Sequence, residues 1–193
     1  MAGKSQRTYA DLVFNARLQD IDKEVADLMR FEEERQDRKL MMIASESFCP
    51  SPIREAVASA FTNLYAEGHP SVRMDKENRR LATDYEHQMT HQRRYADRRY
   101  YKGCDYVNVM ENLAEKRLAE IFATDEISAD EIYVNVQPLS GAIANNAIYS
   151  AFLELGDTVM GMALNAGGHL THGSEVNRSG RYYNIVPYYP DDR

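Results

Sequence analysis

Four short segments carry residue types that do chemistry. Gly167-Gly168-His169-Leu170-Thr171-His172-Gly173 sets three glycines and two histidines in one loop. Such a backbone can come close to a flat ligand, and His169 can stack on a ring or move a proton. A loop histidine bonded to backbone fits the same text. Ser140-Gly141-Ala142 stands where a helix should begin, and a helix N-terminus presents unpaired N–H groups and a positive dipole end to an anion. A phosphate cup and an ordinary capped turn are both consistent with it. Tyr65-Ala66-Glu67-Gly68-His69-Pro70 puts a carboxylate beside a phenol, suited to acid–base work or simply to a solvated loop. His87 and His91 have metal-binding i, i+4 spacing, but Gln88 occupies the place where a metalloprotease carries its glutamate base. His169 and His172 lack a third ligand nearby in sequence. No metal site is expected.

The elements that position these segments follow from periodicity. Asp20 to Lys39 reads as a charged amphipathic helix with Ile21, Val25, Leu28 and Met29 along one stripe. Leu40 to Ala44 reads as extended. Ser51-Pro52 opens a second helix, since proline suits the first helical position. A third helix is expected over Val107 to Phe122, with Val107, Met110, Leu113, Ala114, Leu118 and Ile121 on its apolar side. Ile132 to Gln137 alternates as a strand would. Ser140 is placed as N-cap of a helix through Leu153, Gly156-Asp157 as a turn, and Thr158 to Met162 and Asn184 to Tyr188 as strands. Strand, helix and strand in that order predict a βαβ unit, hence an α/β fold with a mostly parallel sheet covered by helices.

The bulk composition narrows the classes. In 193 residues, 44% are apolar and 27% charged, as in a globular protein. A net charge of -7 gives no broad nucleic-acid surface. No run approaches the ~20 apolar residues of a membrane span, and the polar N-terminus has no secretory pattern. Cys49 and Cys104 form no CxxC pair, which suits free thiols in a reducing compartment. A cytoplasmic protein that binds neither nucleic acid nor membrane is expected.

The segments Leu40 to Phe48, Thr62 to Pro70, Arg99 to Val107, Val134 to Asn145, Gly156 to Met162, Gly167 to Gly173 and Val176 to Pro187 together resemble serine hydroxymethyltransferase (glycine hydroxymethyltransferase) in order and spacing. The resemblance implies the fold-type-I pyridoxal-phosphate-dependent transferase architecture, an α/β fold. It implies transfer of a hydroxymethyl group between serine and tetrahydrofolate, giving glycine and methylene-tetrahydrofolate, and a homodimer or higher homo-oligomer with shared sites. Ser140, Gly141 and Ala142 would hold the phosphate of pyridoxal 5'-phosphate, and His169 would stack on its ring. Ser45 would touch the amino-acid substrate. Tyr65, Glu67 and Tyr101 would reach into the partner subunit's site, with Glu67 assisting proton transfer. Leu164 and Gly168, His169 and Leu170 would line the folate site.

The chain also departs from that family. Its lysines (Lys4, Lys23, Lys39, Lys76, Lys102 and Lys116) follow no threonine-rich run, the context of the lysine that holds the cofactor covalently. Residues 1–60 are therefore read as a helical arm and 61–193 as the first part of the large domain, with the rest of that domain and the small C-terminal domain absent. The chain alone is expected to be inactive and to expose apolar surface. A non-catalytic shortened relative pairing with a full-length subunit is the alternative reading. Threonine aldolase is disfavoured by the Gly-Gly-His and Tyr-Ala-Glu-Gly segments. Ala142 replaces a common serine, His69 a tyrosine and Lys102 a glycine. An insertion over about 72–98 reads as one helix with Leu81, Tyr85 and Met89 on a side. Its arginines Arg93, Arg94, Arg98 and Arg99 are either a solvated basic face or a site for the acidic tail of polyglutamyl folate.

Overall fold

The computed structural model describes residues 8–92 and 98–191. Two units are distinguished, Met1–Thr62 and Asn63–Arg193.

In the first unit, α1 (Leu18–Ile21) precedes α2 (Lys23–Arg38), whose N-cap Asp22 accepts from the Val25 amide at 3.0 Å. Charged pairs line α2, including Arg30 to Glu34 at 2.7 Å and Arg35 to Glu32 at 2.6 Å. The expected stripe is present but uncovered: Leu28 is 65% exposed and Met29 57%. Residues 40–50 are irregular, and α3 (Ser51–Val57) begins with proline in its first turn.

The second unit has two small sheets. Strands β1 (Gly68–His69) and β2 (Arg98–Arg99) pair antiparallel, Gly68 opposite Arg99. Between them lie α4 (Val72–Lys76), α5 (Arg79–Ala82) and α6 (Tyr85–Gln92). The expected single helix is thus three short ones. Asn78 stops α4 and caps α5 through the Leu81 amide (3.0 Å), and Asp84 caps α6 through the His87 amide (3.0 Å). Each cap is a local side-chain bond that competes with a continuous helical ladder.

The long helix α7 (Asp105–Phe122) follows. Its buried residues are Asn108, Val109, Asn112 and Ala119, while Met110 and Ile121 of the predicted apolar side stay exposed. Polar Asn108 and Asn112 are thus buried beside Val109 and Ala119, while Val107, Leu113, Ala114 and Leu118 of the predicted side are half-buried. Ile132 to Gln137 is not a strand: it is irregular, pairs with no strand among the described residues, and leaves Tyr133 fully exposed. Alternation favours a strand, but a strand also needs a neighbour to bond. Helix α8 (Gly141–Phe152) starts where expected, although Ser140 makes no side-chain capping bond. Strands β3 (Thr158–Met162) and β4 (Asn184–Tyr188) pair in parallel, with α9 (Arg178–Tyr182) between them. The molecule is therefore α/β, but its parallel pair joins the second and third predicted strands. Leu139 (93%), Phe152 (77%) and Met160 (70%) remain exposed, so apolar surface is present as anticipated. No helix among the described residues is long and apolar enough to cross a membrane.

Candidate functional site

The β1–β2 ladder brings together segments that stand some thirty residues apart in sequence. The Tyr100 amide donates to the Glu67 carbonyl at 3.0 Å, and the buried Cys104 thiol lies 3.7 Å from the Tyr65 carbonyl. The rings of Tyr65 and Tyr101 consequently sit 5.2 Å apart, tilted by 59°. Glu67, Tyr65 and Tyr101 are all solvent-exposed, on one edge of a well-bonded frame. Gly68 is obligatory there. Its φ is +104°, and an added Cβ would stand 2.2 Å from the Arg98 carbonyl oxygen.

Arg99 holds that frame. Its guanidinium is buried and donates to the carbonyls of Ala66 (2.7 Å) and Gly68 (2.8 Å), to Asn108 Oδ1 (2.8 Å) and to the Glu111 carboxylate. Glu111 Oε1 accepts in turn from Gln137 Nε2 at 2.6 Å, and the same amide donates to the Gly68 carbonyl at 2.7 Å. Gln137 Nε2 also lies 3.2 Å from His69 Nδ1. Sequence reasoning missed this cluster. Arg99 was assigned to a basic face, but burial and these bonds exclude that. Arg98 is likewise engaged, with the Pro70 carbonyl and Asp75 Oδ2, each at 2.6 Å. Arg93 and Arg94 lie outside the described residues. The readable signal was the polar stripe of α7, Asn108, Glu111, Asn112 and Glu115, at helical spacing.

The segment 72–92 is bound by polar contacts as well. Gln88, fully buried, donates to Glu77 Oε2 (2.6 Å) and the Leu81 carbonyl (2.7 Å) and accepts from Arg73 at 3.0 Å. His87 Nε2 lies 2.7 Å from Glu77 Oε1, and His91 Nδ1 meets the His87 carbonyl at 2.9 Å. The two imidazoles are thus committed to protein partners. Among the described residues no cluster of three or more His, Cys, Asp or Glu is placed to hold a metal ion. On α7, burial together with the neighbouring Glu111 and Asp75 pushes the Glu115 carboxyl up to about 7. Burial also raises Asp75, against the pull of Arg98 and Lys116.

The second cluster surrounds Thr171, which is 1% exposed. His169 Nδ1 accepts from the Thr171 amide at 3.2 Å and lies 2.8 Å from its hydroxyl. An accepting Nδ1 puts the proton of the neutral ring on Nε2. Asn145 Nδ2 donates to the Thr171 hydroxyl at 2.7 Å, and the Tyr149 hydroxyl donates to its carbonyl at 2.8 Å. Both side chains come from α8, so the helix begun at Ser140 is bolted to the histidine loop. The glycines permit a close approach. A Cβ on Gly168 would fall 2.0 Å from the Met162 carbonyl oxygen, and one on Gly161 would fall 2.3 Å from that of His172. His169, Leu164 and Leu170 stay exposed beside this packed base, with Gly168 half-buried.

At the start of α8, Ser140, Gly141 and Ala142 remain open. The Ser140 hydroxyl makes no cap bond, and nothing stands within 4 Å of where a Gly141 Cβ would be. The first helical hydrogen bond runs from the Ala144 amide to the Ser140 carbonyl, so the preceding amides have no helical acceptor. A twelve-residue helix with an open start and a hydroxyl to spare fits an anion such as a phosphate. Ser45 is exposed in the other unit, in the irregular stretch after α2.

A family model described as serine hydroxymethyltransferase matches residues 18–93 and 87–193. A curated serine hydroxymethyltransferase from Kocuria rhizophila is 43% identical over 176 residues, covering 91% of this chain and 34% of that protein. The chain thus spans about a third of the length of the curated relative it matches.

Proposed function

Because this chain belongs to the serine hydroxymethyltransferase family, we propose that its protein transfers a hydroxymethyl group between serine and tetrahydrofolate, with pyridoxal 5'-phosphate as cofactor. The observation that supports this reading most is the paired frame that brings the Tyr65-Ala66-Glu67 segment against Tyr100-Tyr101, with the two tyrosine rings 5.2 Å apart. The proposal includes a fold-type-I architecture, with residues 1–60 as arm and 61–193 as the first part of the large domain. It also includes a cytoplasmic homodimer or higher homo-oligomer.

The cofactor would supply an electron sink for cleavage at the amino acid's α-carbon. Ser140 would give its hydroxyl, and Gly141 and Ala142 their amides, to the phosphate. Ala142 lacks the hydroxyl of a serine there, so the backbone donors matter more. His169 would lie over the ring, its orientation fixed by Thr171 through Nδ1. Ser45 would bond the amino-acid substrate. Leu164, Gly168 and Leu170 would offer the folate an apolar wall on a rigid base. Tyr65, Glu67 and Tyr101 would project into the partner's site, where Glu67 would assist proton transfer at the serine hydroxyl or the folate.

The test uses the complete gene product. Purified with pyridoxal phosphate, it should convert serine to glycine only when tetrahydrofolate is supplied. Glu67→Gln should lower kcat on the order of a hundredfold or more while glycine still binds, because it removes proton transfer and keeps shape. Serine turnover independent of folate, or full activity in Glu67→Gln, would overturn the assignment.

A further inference from the structure

One side-chain contact joins, within a single chain, two segments that the proposed function assigns to two different sites of a dimer. Gln137 Nε2 donates both to the Gly68 carbonyl (2.7 Å) and to Glu111 Oε1 (2.6 Å). Gly68 follows Glu67, and Gln137 stands three residues before Ser140. Glu111 is at the same time the counter-charge of the buried Arg99, which holds the carbonyls of Ala66 and Gly68. The bridge is long-range in sequence: Gln137 is 69 residues from Gly68 and 26 from Glu111. No strand pairs with the segment 132–137 among the described residues, so this amide is a specific tie between that segment and β1.

We propose that Gln137 and Glu111 form a junction of positioning residues. It couples the Glu67 segment, lent to a partner's site, to the Ser140 segment, which holds this chain's own cofactor phosphate. The proposal rests on the hydroxymethyltransferase reading for what the two segments do, but the tie itself is independent of it. A junction of this kind makes the two sites of a dimer sensitive to one another. A displacement of the phosphate segment reaches the Glu67 loop through one carbonyl and one carboxylate.

Gln137→Leu breaks the junction and leaves the Arg99–Glu111 pair intact. Gln137 is exposed, so the variant should fold. Gln137→Glu sets a second carboxylate against Glu111 and should open the junction further. In the complete gene product, amide hydrogen exchange should speed up by on the order of tenfold in residues 65–69 and 98–101, and equally at Gln137 and Ala144, the bonded amides of the other segment. The Tyr100 amide, bonded to Glu67, is the most direct reporter. Serine turnover should show lower kcat and weaker cofactor retention together, both worse in Gln137→Glu. A change confined to one side, or none, overturns the junction. Absence of folate-dependent serine turnover in the unaltered protein would instead fault the functional reading, and the exchange result would still decide the junction.

Discussion

The two clusters that flank the proposed site are held by opposite means. Around β1, β2 and α7, rigidity comes from buried polar groups: Arg99 meets two carbonyls, an amide oxygen and a carboxylate, and Gln88, Asn108 and Asn112 are buried nearby. Around β3 and the His169 loop, it comes from missing atoms. Gly161 and Gly168 let backbone press on backbone, and Thr171 fills the remaining space. The first kind of frame fails when a group is taken away, because its partners are left buried and unpaired. The second fails when a methyl group is added.

The largest effect should follow from Arg99→Met. The substitution keeps most of the apolar stem and removes four sets of bonds, leaving the Glu111 carboxylate without its buried counter-charge. Breaking a buried pair from one side costs about 4 kcal/mol. Thermal unfolding of the complete gene product should show that loss, and hydrogen exchange should rise first in residues 65–69. If Arg99→Met is as stable as the unaltered protein, the first cluster is not held by its polar bonds. Gly168→Ala comes next, at about 3 kcal/mol, because the new Cβ would meet three backbone atoms of Met162 and Ala163 within 3 Å. Exchange should then rise around 162–173 and not at 65–69. A response spread equally over both regions would remove the distinction.

The sequence made one of these frames much easier to read than the other. The glycine loop was recognisable because glycine has a single physical meaning where backbones crowd, and Gly167 and Gly173 both take positive φ, as such loops require. The strands Thr158–Met162 and Asn184–Tyr188 and the starts of α7 and α8 were visible in periodicity and turn chemistry to within about two residues. The Arg99 clamp was not, because nothing in a sequence says that a charged residue meets carbonyls some thirty positions earlier and a carboxylate twelve positions later. It was grouped with Arg93, Arg94 and Arg98 by charge alone. The same limit explains α7. Its apolar positions were sorted by hydrophobicity, but the buried positions set Asn108 and Asn112 beside Val109 and Ala119, chosen by partners that periodicity cannot see. The described residues 72–92 form three helices, broken at Asn78 and Asp84, two residues whose capping preference was readable and was outweighed by the spacing of Leu81, Tyr85 and Met89.

The smallest effect separates polar burial that stabilises from polar burial that costs. Glu115 lies on the same stripe of α7 as Glu111, but without a guanidinium of its own. Burial comes first, then Glu111 and Asp75, and these raise its carboxyl from the usual 4.5 to about 7, with Lys116 and Arg98 opposing. Between those two values the folded chain binds the proton more readily than the unfolded one. Its contribution to stability is therefore complete below pH 4.5, declines as pH rises toward 7, and is gone above that. Because the side chain is partly exposed, solvent screening reduces the effect to about 1 kcal/mol. Glu115→Gln keeps the shape and removes the titration. The variant should match the unaltered protein at pH 4.5 and be more stable by that amount at pH 8.5, as read from thermal midpoints of the complete gene product. Equal midpoints at both pH values would mean that Glu115 is solvated like any surface carboxylate. The polar face of α7 would then owe its burial to Arg99, Asn108 and Asn112 alone.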